Sequence, residues 1–335
     1  MFMKNKIEII AEIAQGYEGS LDLAKLLLKS AVNSGVDAVK FQMIFADELA
    51  TKNYKHYRLF KDLEMSLKEW TDISNFCLKN NVNLYLDVFG LKSLKFCQKI
   101  NVKGIKIHPT DATNYDLIEN IAKSKIKKII LGIGGHNINN LEKTIRILSK
   151  KDLCIMIGFQ SYPTPLKCNN LNNIRLIYSK YNKFKNIKFG FADHEIFFHN
   201  SKMLCSLAIG AGATLLEKHF TISKSLKLED SESALEASEF KNFVFSLKEI
   251  SQSFSQITNF NKYHISKNEK NYMNKIKRNV VAKKNINKNT VIKNSDVLLK
   301  RTADKNKIYN LNFCVGKISR INVKKNSSLQ KKFLR

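Results

Sequence analysis

Two apolar runs separated by a helical segment, within residues 187–219, constrain the fold of this chain more than any other feature. Residues 187–191 and 214–219 are short and rich in apolar side chains, which indicates two buried β-strands. Residues 201–209 repeat apolar side chains at helical spacing and are followed by Gly210 and Gly212. The stretch is therefore predicted to form a strand–helix–strand unit, the building block of parallel β/α folds.

Polar side chains stand at the carboxyl ends of both predicted strands. Asp193 and His194 follow the first strand, and Glu217 and His219 end the second. Because side chains alternate along a strand, Glu217 and His219 share one face and Lys218 points to the other. Parallel β/α folds build their sites at these strand ends. Two imidazoles on neighbouring strand tips indicate an open metal site, with a pair of structural histidines as the alternative.

The strand–helix pattern recurs along the chain about eight times over roughly 250 residues, the usual size of a TIM (β/α)8 barrel. Further strands are predicted at residues 7–13, 38–42, 84–88, 104–107, 128–131 and 153–159. An open doubly wound α/β sheet is the alternative. Polar residues follow nearly every strand, as a ring of loops around one end of a barrel requires, so we predict the TIM barrel.

The sequence divides into two predicted domains and a connection. Residues 1–255 hold the predicted barrel. Residues 256–275 are rich in Asn, Lys and Ser with little periodicity, and are predicted to be a linker. Residues 276–335 alternate short apolar groups with polar turns, which predicts a small β-rich domain. A domain of that size is marginally stable alone, so it is expected to pack on a barrel.

Composition limits the class of protein. The formal net charge is +28, from 57 Lys and Arg against 29 Asp and Glu. We interpret this charge as spread along the chain, without an Arg-rich block, so biased composition explains it better than nucleic-acid binding. No apolar run reaches transmembrane length, and six scattered Cys indicate buried thiols in a reducing compartment. We therefore expect a cytoplasmic protein that binds neither nucleic acid nor membrane.

Several separated motifs, in order along the chain, carry a family resemblance. They are Glu12 with Glu18-Gly19-Ser20, Lys40-x-Gln42, Lys106 with Asp111, Asn114-Tyr115, Tyr162-Pro163-Thr164-Pro165, Asp193-His194, residues 217–221, Asp230, Asn279–Ala282 and Lys300-Arg301. Together they resemble the sialic acid (N-acetylneuraminate) synthase family, whose members carry a C-terminal antifreeze-like (SAF) domain. The resemblance runs through almost the whole chain.

This resemblance implies an activity and a set of site residues. Family members condense phosphoenolpyruvate with an N-acylated hexose and release phosphate, with a divalent ion, Mn²⁺ or Mg²⁺, as a Lewis acid. They form a domain-swapped homodimer in which the tail reaches the partner's barrel. The resemblance implies proton transfer by Glu12, Asp111 or Glu217, and metal ligation by His194 and His219. The implied substrate-binding residues are Lys40, Gln42, Lys106, Gln160, Tyr162, Asp193, Asp230 and Arg301.

The chain also departs from the family pattern. The positions where the family has Ser or Thr for phosphate or carboxylate binding are here Asp87, Pro109, Gly132 and Ala192. Each lost hydroxyl removes a hydrogen bond to a charged group, worth around 1–3 kcal/mol. We interpret the chain as a divergent member and leave two alternatives open. One is a class I aldolase that uses Lys40 or Lys106 as a Schiff-base amine, and the other is a non-catalytic sugar-phosphate-binding protein.

Overall fold

A closed barrel of parallel strands forms the first unit of the protein. A computed structural model describes residues 7–254, 265–304 and 308–335. The barrel strands are β1 (Glu8–Ala14), β2 (Ala38–Gln42), β3 (Asn83–Val88), β4 (Gly104–Ile107), β5 (Lys128–Gly132), β6 (Asp152–Ile157), β7 (Ile187–Asp193) and β8 (Leu215–Thr221). Each strand pairs in parallel with the next, and β8 pairs with β1, so the sheet closes. This arrangement confirms the predicted TIM barrel. A short strand, β9 (Leu235–Glu236), pairs with the end of β8.

Helices connect the strands and cover the outside of the barrel. They are α1 (Leu21–Asn33), α2 (Ala46–Leu49), α3 (Tyr57–Asp62), α4 (Leu67–Lys79), α5 (Leu91–Cys97), α6 (Tyr115–Lys123), α7 (Glu142–Leu148), α8 (Asn172–Tyr181), α9 (Phe198–Ala211) and α10 (Ala237–Gln252). Their apolar faces and the outer faces of the strands form one continuous core. Packing of such faces, more than intrinsic propensity, stabilises helices of this length. Within the described residues, no helix has the length and apolar character needed to span a membrane.

Several helix ends follow capping signals that are visible in the sequence. At the start of α1, the Ser20 hydroxyl accepts a hydrogen bond from the Leu23 amide. At the start of α4, Ser66 and Glu69 form a reciprocal capping box. In contrast, α5 is only seven residues long and its periodicity is too short to predict.

The interior of the barrel changes from apolar to charged along the strands. The apolar side chains that fill it are Ile10, Ala38, Tyr85, Ile130, Cys154, Met156, Ala192 and Leu215. Two residues further along five adjacent strands, the buried inward positions are Glu217, Glu12, Lys40, Asp87 and Lys106. The strand register places Glu12 beside Lys40 and Asp87 beside Lys106. These five residues, called here the charged layer, therefore lie next to one another towards the carboxyl ends of the strands.

The second unit is a small β-rich body, described here by itself. The chain divides into compact units at residues 1–258 and 259–335. The second unit contains α11 (Lys267–Ile276) and an antiparallel pair, β10 (Asn279–Ala282) with β11 (Val297–Lys300). Val280, Ile292 and Leu329 are fully buried in its core. The segment of α11 was predicted to be a linker, and the missed signal is the Ser266 cap, which accepts from the Glu269 amide.

Positive charge is concentrated in the second unit, contrary to the interpretation drawn from the sequence. Residues 259–335 contain 21 Lys and Arg but only 3 Asp and Glu, whereas residues 1–258 contain 36 and 26. A general compositional bias towards Lys would raise the Lys content of both units alike. It does not explain why Asp and Glu are scarce in the second unit only. The second unit therefore has a positive field of its own, which attracts anions.

Candidate active site

Lys40 lies at the centre of the charged layer. Its ammonium group contacts the Glu12 carboxylate and lies 2.9 Å from Asp87 Oδ2 and 3.8 Å from Glu217 Oε2. All four side chains are buried. Strands β8, β1, β2 and β3 are neighbours in the sheet, so their inward side chains at this level meet. One ammonium group is therefore shared among three carboxyl groups.

Lys106 supplies the second cation of the charged layer. Its Nζ lies 2.5 Å from Glu217 Oε1, which makes Glu217 the link between the two lysines. Asp87 Oδ1 and Glu217 Oε2 accept no hydrogen bond from the described part of the chain. A buried polar atom without a partner costs free energy, so a ligand, water or ion that satisfies these oxygens is stabilised there.

The two glutamates of the charged layer have opposite pKa shifts. Burial raises the pKa of Glu12 to about 8, with Lys40 acting in the opposite direction and Glu217 adding to the rise. Burial also acts to raise the pKa of Glu217, but the Lys106 and Lys40 ammonium groups outweigh it and lower that pKa to about 2. Of the two carboxyl groups, Glu12 is therefore the one that favours the protonated form and Glu217 the one that favours the ionised form.

His194 and His219 lie beside the charged layer as a pair. Their ring centroids are 5.5 Å apart, and the Tyr162 ring packs against them at 4.4 and 5.7 Å. His194 Nδ1 lies 2.8 Å from the Phe159 carbonyl oxygen. Because a carbonyl oxygen can only accept, Nδ1 donates the proton and the lone pair is on Nε2. The structure thus brings Tyr162 and the two predicted metal ligands together.

Both imidazoles are in the form that binds metal ions. Burial lowers the pKa of His194 to about 4 and holds that of His219 well below its ordinary value. Asp230 Oδ2 lies 3.8 Å from His219 Nδ1, and burial raises the pKa of Asp230 to about 6. Across residues 7–254, 265–304 and 308–335, no three His, Cys, Asp or Glu side chains are arranged to hold an ion. The protein therefore offers a pair of neutral nitrogens, without a closed cage of ligands.

Asp193 and Lys218 lie on the opposite face of the same two strands. Lys218 Nζ is 3.0 Å from Asp193 Oδ2 and donates to the Glu195 carbonyl oxygen. The two residues are direct register partners, so their buried ion pair joins β7 to β8 outside the barrel. Lys218 points outward as predicted. Asp193 also points away from the charged layer, which corrects the prediction that it binds substrate.

Asp111 is not part of the charged layer either. Pro109 begins a 3-10 turn immediately after β4, and this turn carries Asp111 away from the strand. The Asp111 carboxylate accepts a hydrogen bond from Asn114 at 2.9 Å and lies 3.2 Å from the Thr110 hydroxyl oxygen in an exposed cluster. The structure therefore separates Asp111 from Glu12 and Glu217, the other two candidates for proton transfer.

The remaining predicted substrate ligands lie in different surroundings. Gln42 follows Lys40 on the inward face of β2, and its side-chain oxygen accepts from Gln15 at 2.7 Å. Gln160 is exposed in the loop after β6. Arg301 is exposed in the second unit, directly after β11.

One member of the charged layer was missed by sequence reasoning. Asp87 was interpreted only as a position that had lost a hydroxyl, yet its carboxylate lies 2.9 Å from Lys40 Nζ. The signal was present in the alternation of β3, because Asp87 lies two residues after Tyr85, which faces the barrel interior.

Comparison with known proteins identifies the family. The model of the NeuB family matches residues 27–259. The chain is 28% identical to N,N'-diacetyllegionaminic acid synthase of Campylobacter jejuni, with 97% of this chain and 99% of that protein covered. It is 26% identical to pseudaminic acid synthase of the same species, over 73% of this chain and 74% of that protein.

Solved structures show the same architecture. The N-acetylneuraminic acid synthetase of Leptospira borgpetersenii superposes with a TM-score of 0.72 at 26% identity, over 81% of this chain and 92% of that one. A spore coat polysaccharide biosynthesis protein E of Chromobacterium violaceum has a TM-score of 0.80, over 98% of this chain and 100% of that one. At 17% identity, the second likeness shows the fold alone. Since the family model covers well over half of the sequence, the chain belongs to the NeuB family.

Proposed function

We propose that this protein is a nonulosonic acid synthase that joins phosphoenolpyruvate to the open-chain aldehyde of an N-acylated hexose, for surface-glycan assembly. A bond forms between C3 of phosphoenolpyruvate and the aldehyde carbon, and the aldehyde oxygen takes a proton. Water adds at C2, and loss of phosphate leaves a 2-keto acid. The names of the relatives, which are synthases of legionaminic, pseudaminic and N-acetylneuraminic acid, support this reaction. The cytoplasmic location stays a prediction.

The gathering of three carboxyl groups and two ammonium groups in one buried layer is the observation that carries this proposal. Glu12, with its pKa raised to about 8, holds a proton at neutral pH and is the donor to the aldehyde oxygen. Glu217, with its pKa lowered to about 2, stays ionised and stabilises the positive charge that develops at C2. Two carboxyl groups held in opposite protonation states are a common way to divide acid and electrostatic roles.

The two lysines of the charged layer are the ligands for the substrate's negative groups. With Glu12 protonated, Lys40 and Lys106 face two carboxylates, Asp87 and Glu217, so the layer is neutral. An incoming anion then meets no net repulsion. Hydrogen bonds from buried ammonium groups to phosphate or carboxylate are among the stronger ones in proteins.

We assign the divalent ion of the reaction, Mn²⁺ or Mg²⁺, to His194 and His219. The residues fit such an ion, because both imidazoles are neutral and the Phe159 carbonyl fixes the tautomer of His194. When bound, the ion supplies Lewis-acid polarisation of the aldehyde oxygen. Tyr162 packs on both rings and restricts their rotation. The Asp230 carboxylate lies beside His219, with Oδ2 3.8 Å from Nδ1.

The two alternative functions are less well supported by the site. A Schiff-base lysine must lose its proton to attack a carbonyl. Burial acts to lower the pKa of Lys40, but the surrounding carboxyl groups, Asp87 most of all, reverse this and raise it above its ordinary value. A protein that only binds sugar phosphates has no need for a buried carboxyl group kept protonated beside an ionised one.

We further propose that residues 276–335 form the SAF domain of the family, and that Arg301 acts in the partner's site of a domain-swapped homodimer. The exposed, planar guanidinium group suits an acyl carbonyl. A mixture of Arg301→Ala and Lys106→Ala chains is expected to regain activity, because one composite site keeps both residues. A mixture of folded, dimeric chains that stays inactive contradicts the shared site.

Phosphate release from phosphoenolpyruvate, measured across a panel of N-acylated hexoses, tests the proposed function. We expect release to require the hexose and a divalent ion and to stop when a chelator is added. Borohydride with pyruvate is expected to label no lysine. Absence of release with every hexose, or a labelled lysine, contradicts the synthase.

A further inference from the structure

We propose that His108 donates a hydrogen bond from Nε2 to an anionic oxygen of phosphoenolpyruvate, next to Lys106. The inference rests on the proposed function and assigns a substrate ligand that the sequence motifs do not contain. Three observations support it: the course of the backbone after β4, the tautomer of the imidazole, and the lack of a side-chain donor at Asp87, Pro109 and Gly132.

The backbone directs His108 to the inside of the barrel. Strand β4 ends at Ile107, but His108 keeps an extended conformation with φ −62° and ψ 148°. The alternation of the strand therefore continues by one residue. Lys106 faces the charged layer, Ile107 packs in the outer core, and His108 turns inward again. Its ring is half-buried and lies 5.8 Å from the ring of Phe89, which follows β3.

The hydrogen bonds of His108 fix which ring nitrogen carries the proton. The Thr110 amide donates to Nδ1 at 3.3 Å, and the Thr110 hydroxyl oxygen lies 2.8 Å from the same nitrogen. Because an amide N–H can only donate, Nδ1 is the acceptor and the proton is on Nε2. No described residue accepts the Nε2 proton, so this donor is free to bind a ligand.

Three positions around His108 offer an anion no side-chain donor. Pro109 has no amide proton, Gly132 has no side chain, and Asp87 can only accept. Lys106 is in contact with Glu217. Burial lowers the pKa of His108 to about 4, so the imidazole is neutral at working pH and contributes a donor without another buried positive charge.

Phosphoenolpyruvate binding to the full chain, measured by titration calorimetry, tests this assignment. His108→Leu removes the donor, and His108→Gln places an amide nitrogen near the position of Nε2. We expect His108→Leu to weaken binding by about tenfold or more and His108→Gln to stay within about threefold of the wild type. His199→Leu, at an exposed imidazole on α9, is the matched control and is expected to bind like the wild type.

Separate titrations with inorganic phosphate and with pyruvate show which anionic group His108 contacts, since His108→Leu weakens the binding of one of them. The KM for the hexose and the unfolding temperature are expected to stay at the wild-type values in both variants. Unchanged phosphoenolpyruvate affinity in His108→Leu overturns the assignment, and so do equal losses in His108→Leu and His108→Gln. Binding requires no turnover. A chain that binds phosphoenolpyruvate through His108 but releases no phosphate would keep this inference and contradict the synthase.

Discussion

The two faces of β8 each carry a buried lysine–carboxylate group, and the two groups differ in their charge balance. On the inner face, three carboxyl groups surround the two lysines of the charged layer. On the outer face, Lys218 meets one carboxylate, Asp193, and one backbone carbonyl oxygen. The inner group has one negative charge too many unless it binds a proton, whereas the outer pair is balanced.

This difference separates a reactive group from a structural one. An excess of carboxyl groups in a buried layer raises the pKa of one of them, which keeps the acid form that proton transfer needs. A balanced ion pair has no such group, but it can fix geometry. His194 and His219 directly follow Asp193 and Lys218 in sequence, so the outer pair holds the two strand tips from which the imidazoles project inward.

Glu12→Gln tests the inner face and has the largest expected effect. Loss of the acid is expected to reduce kcat by about 10²–10⁴, the range of general acid catalysis, as measured by phosphate release. Glu8→Gln, near the other end of β1, is the control and is expected to keep the wild-type kcat. An unchanged kcat in Glu12→Gln contradicts the role of Glu12.

Lys218→Met tests the outer face through stability. Removing one partner leaves the Asp193 carboxylate buried without its cation, which is expected to cost about 3–5 kcal/mol of unfolding free energy. Urea unfolding measures this loss. The double variant Asp193→Asn/Lys218→Met removes both charges and is expected to recover most of the stability. If Lys218→Met is as stable as the wild type, the outer pair does not join the strands.

His194→Ala and His219→Ala test whether the two imidazoles bind the divalent ion. Loss of a residue that only supports a metal ligand commonly costs about 10–100-fold in metal affinity. Each of these variants loses a direct ligand, so the affinity is expected to fall by more than about 100-fold. Mn²⁺ titration measures the affinity, and circular dichroism checks the fold. If both variants bind Mn²⁺ as tightly as the wild type, the assignment of the ion to His194 and His219 is wrong.

The pH dependence gives the smallest and most gradual effect. Above pH about 8, Glu12 loses its proton, so kcat/KM is expected to fall about tenfold per pH unit. Folded Glu12 keeps its proton between its ordinary pKa of 4.5 and about 8, whereas the unfolded carboxyl group releases it. Stability is therefore expected to decrease as pH rises through this window. Glu12→Gln removes both dependences, and a flat profile in the wild type disagrees with the raised pKa.

The sequence predicted the features that depend on local periodicity. Alternation along β8 placed Glu217 and His219 on one face and Lys218 on the other, and the recurring strand–helix pattern predicted the barrel. The misplacement of Asp193 has a physical cause. The strand predicted at residues 187–191 is longer in the structure, where pairing with Lys218 extends β7 through Asp193. The alternation of side chains therefore continues and turns the Asp193 carboxylate outward.

Features that depend on distant residues were not predictable in the same way. The alternation of β3 turns Asp87 inward, but its 2.9 Å contact with Lys40 on the adjacent strand is contained in no local pattern. Asp111 leaves the layer for a local reason, because Pro109 starts a 3-10 turn two residues before it. The relation between Arg301 and a barrel of a partner chain stays a prediction.

The most direct test compares phosphate release by Glu217→Gln with release by the double variant Asp193→Asn/Lys218→Met, both at saturating substrate and neutral pH. Both changes remove buried charge from β8, one on its inner face and one on its outer face. Loss of transition-state charge stabilisation predicts a decrease of at least about 10²-fold for Glu217→Gln, and a kcat within about tenfold of the wild type for the folded double variant. If the folded double variant loses as much activity as Glu217→Gln, the division between a reactive inner face and a structural outer face is wrong.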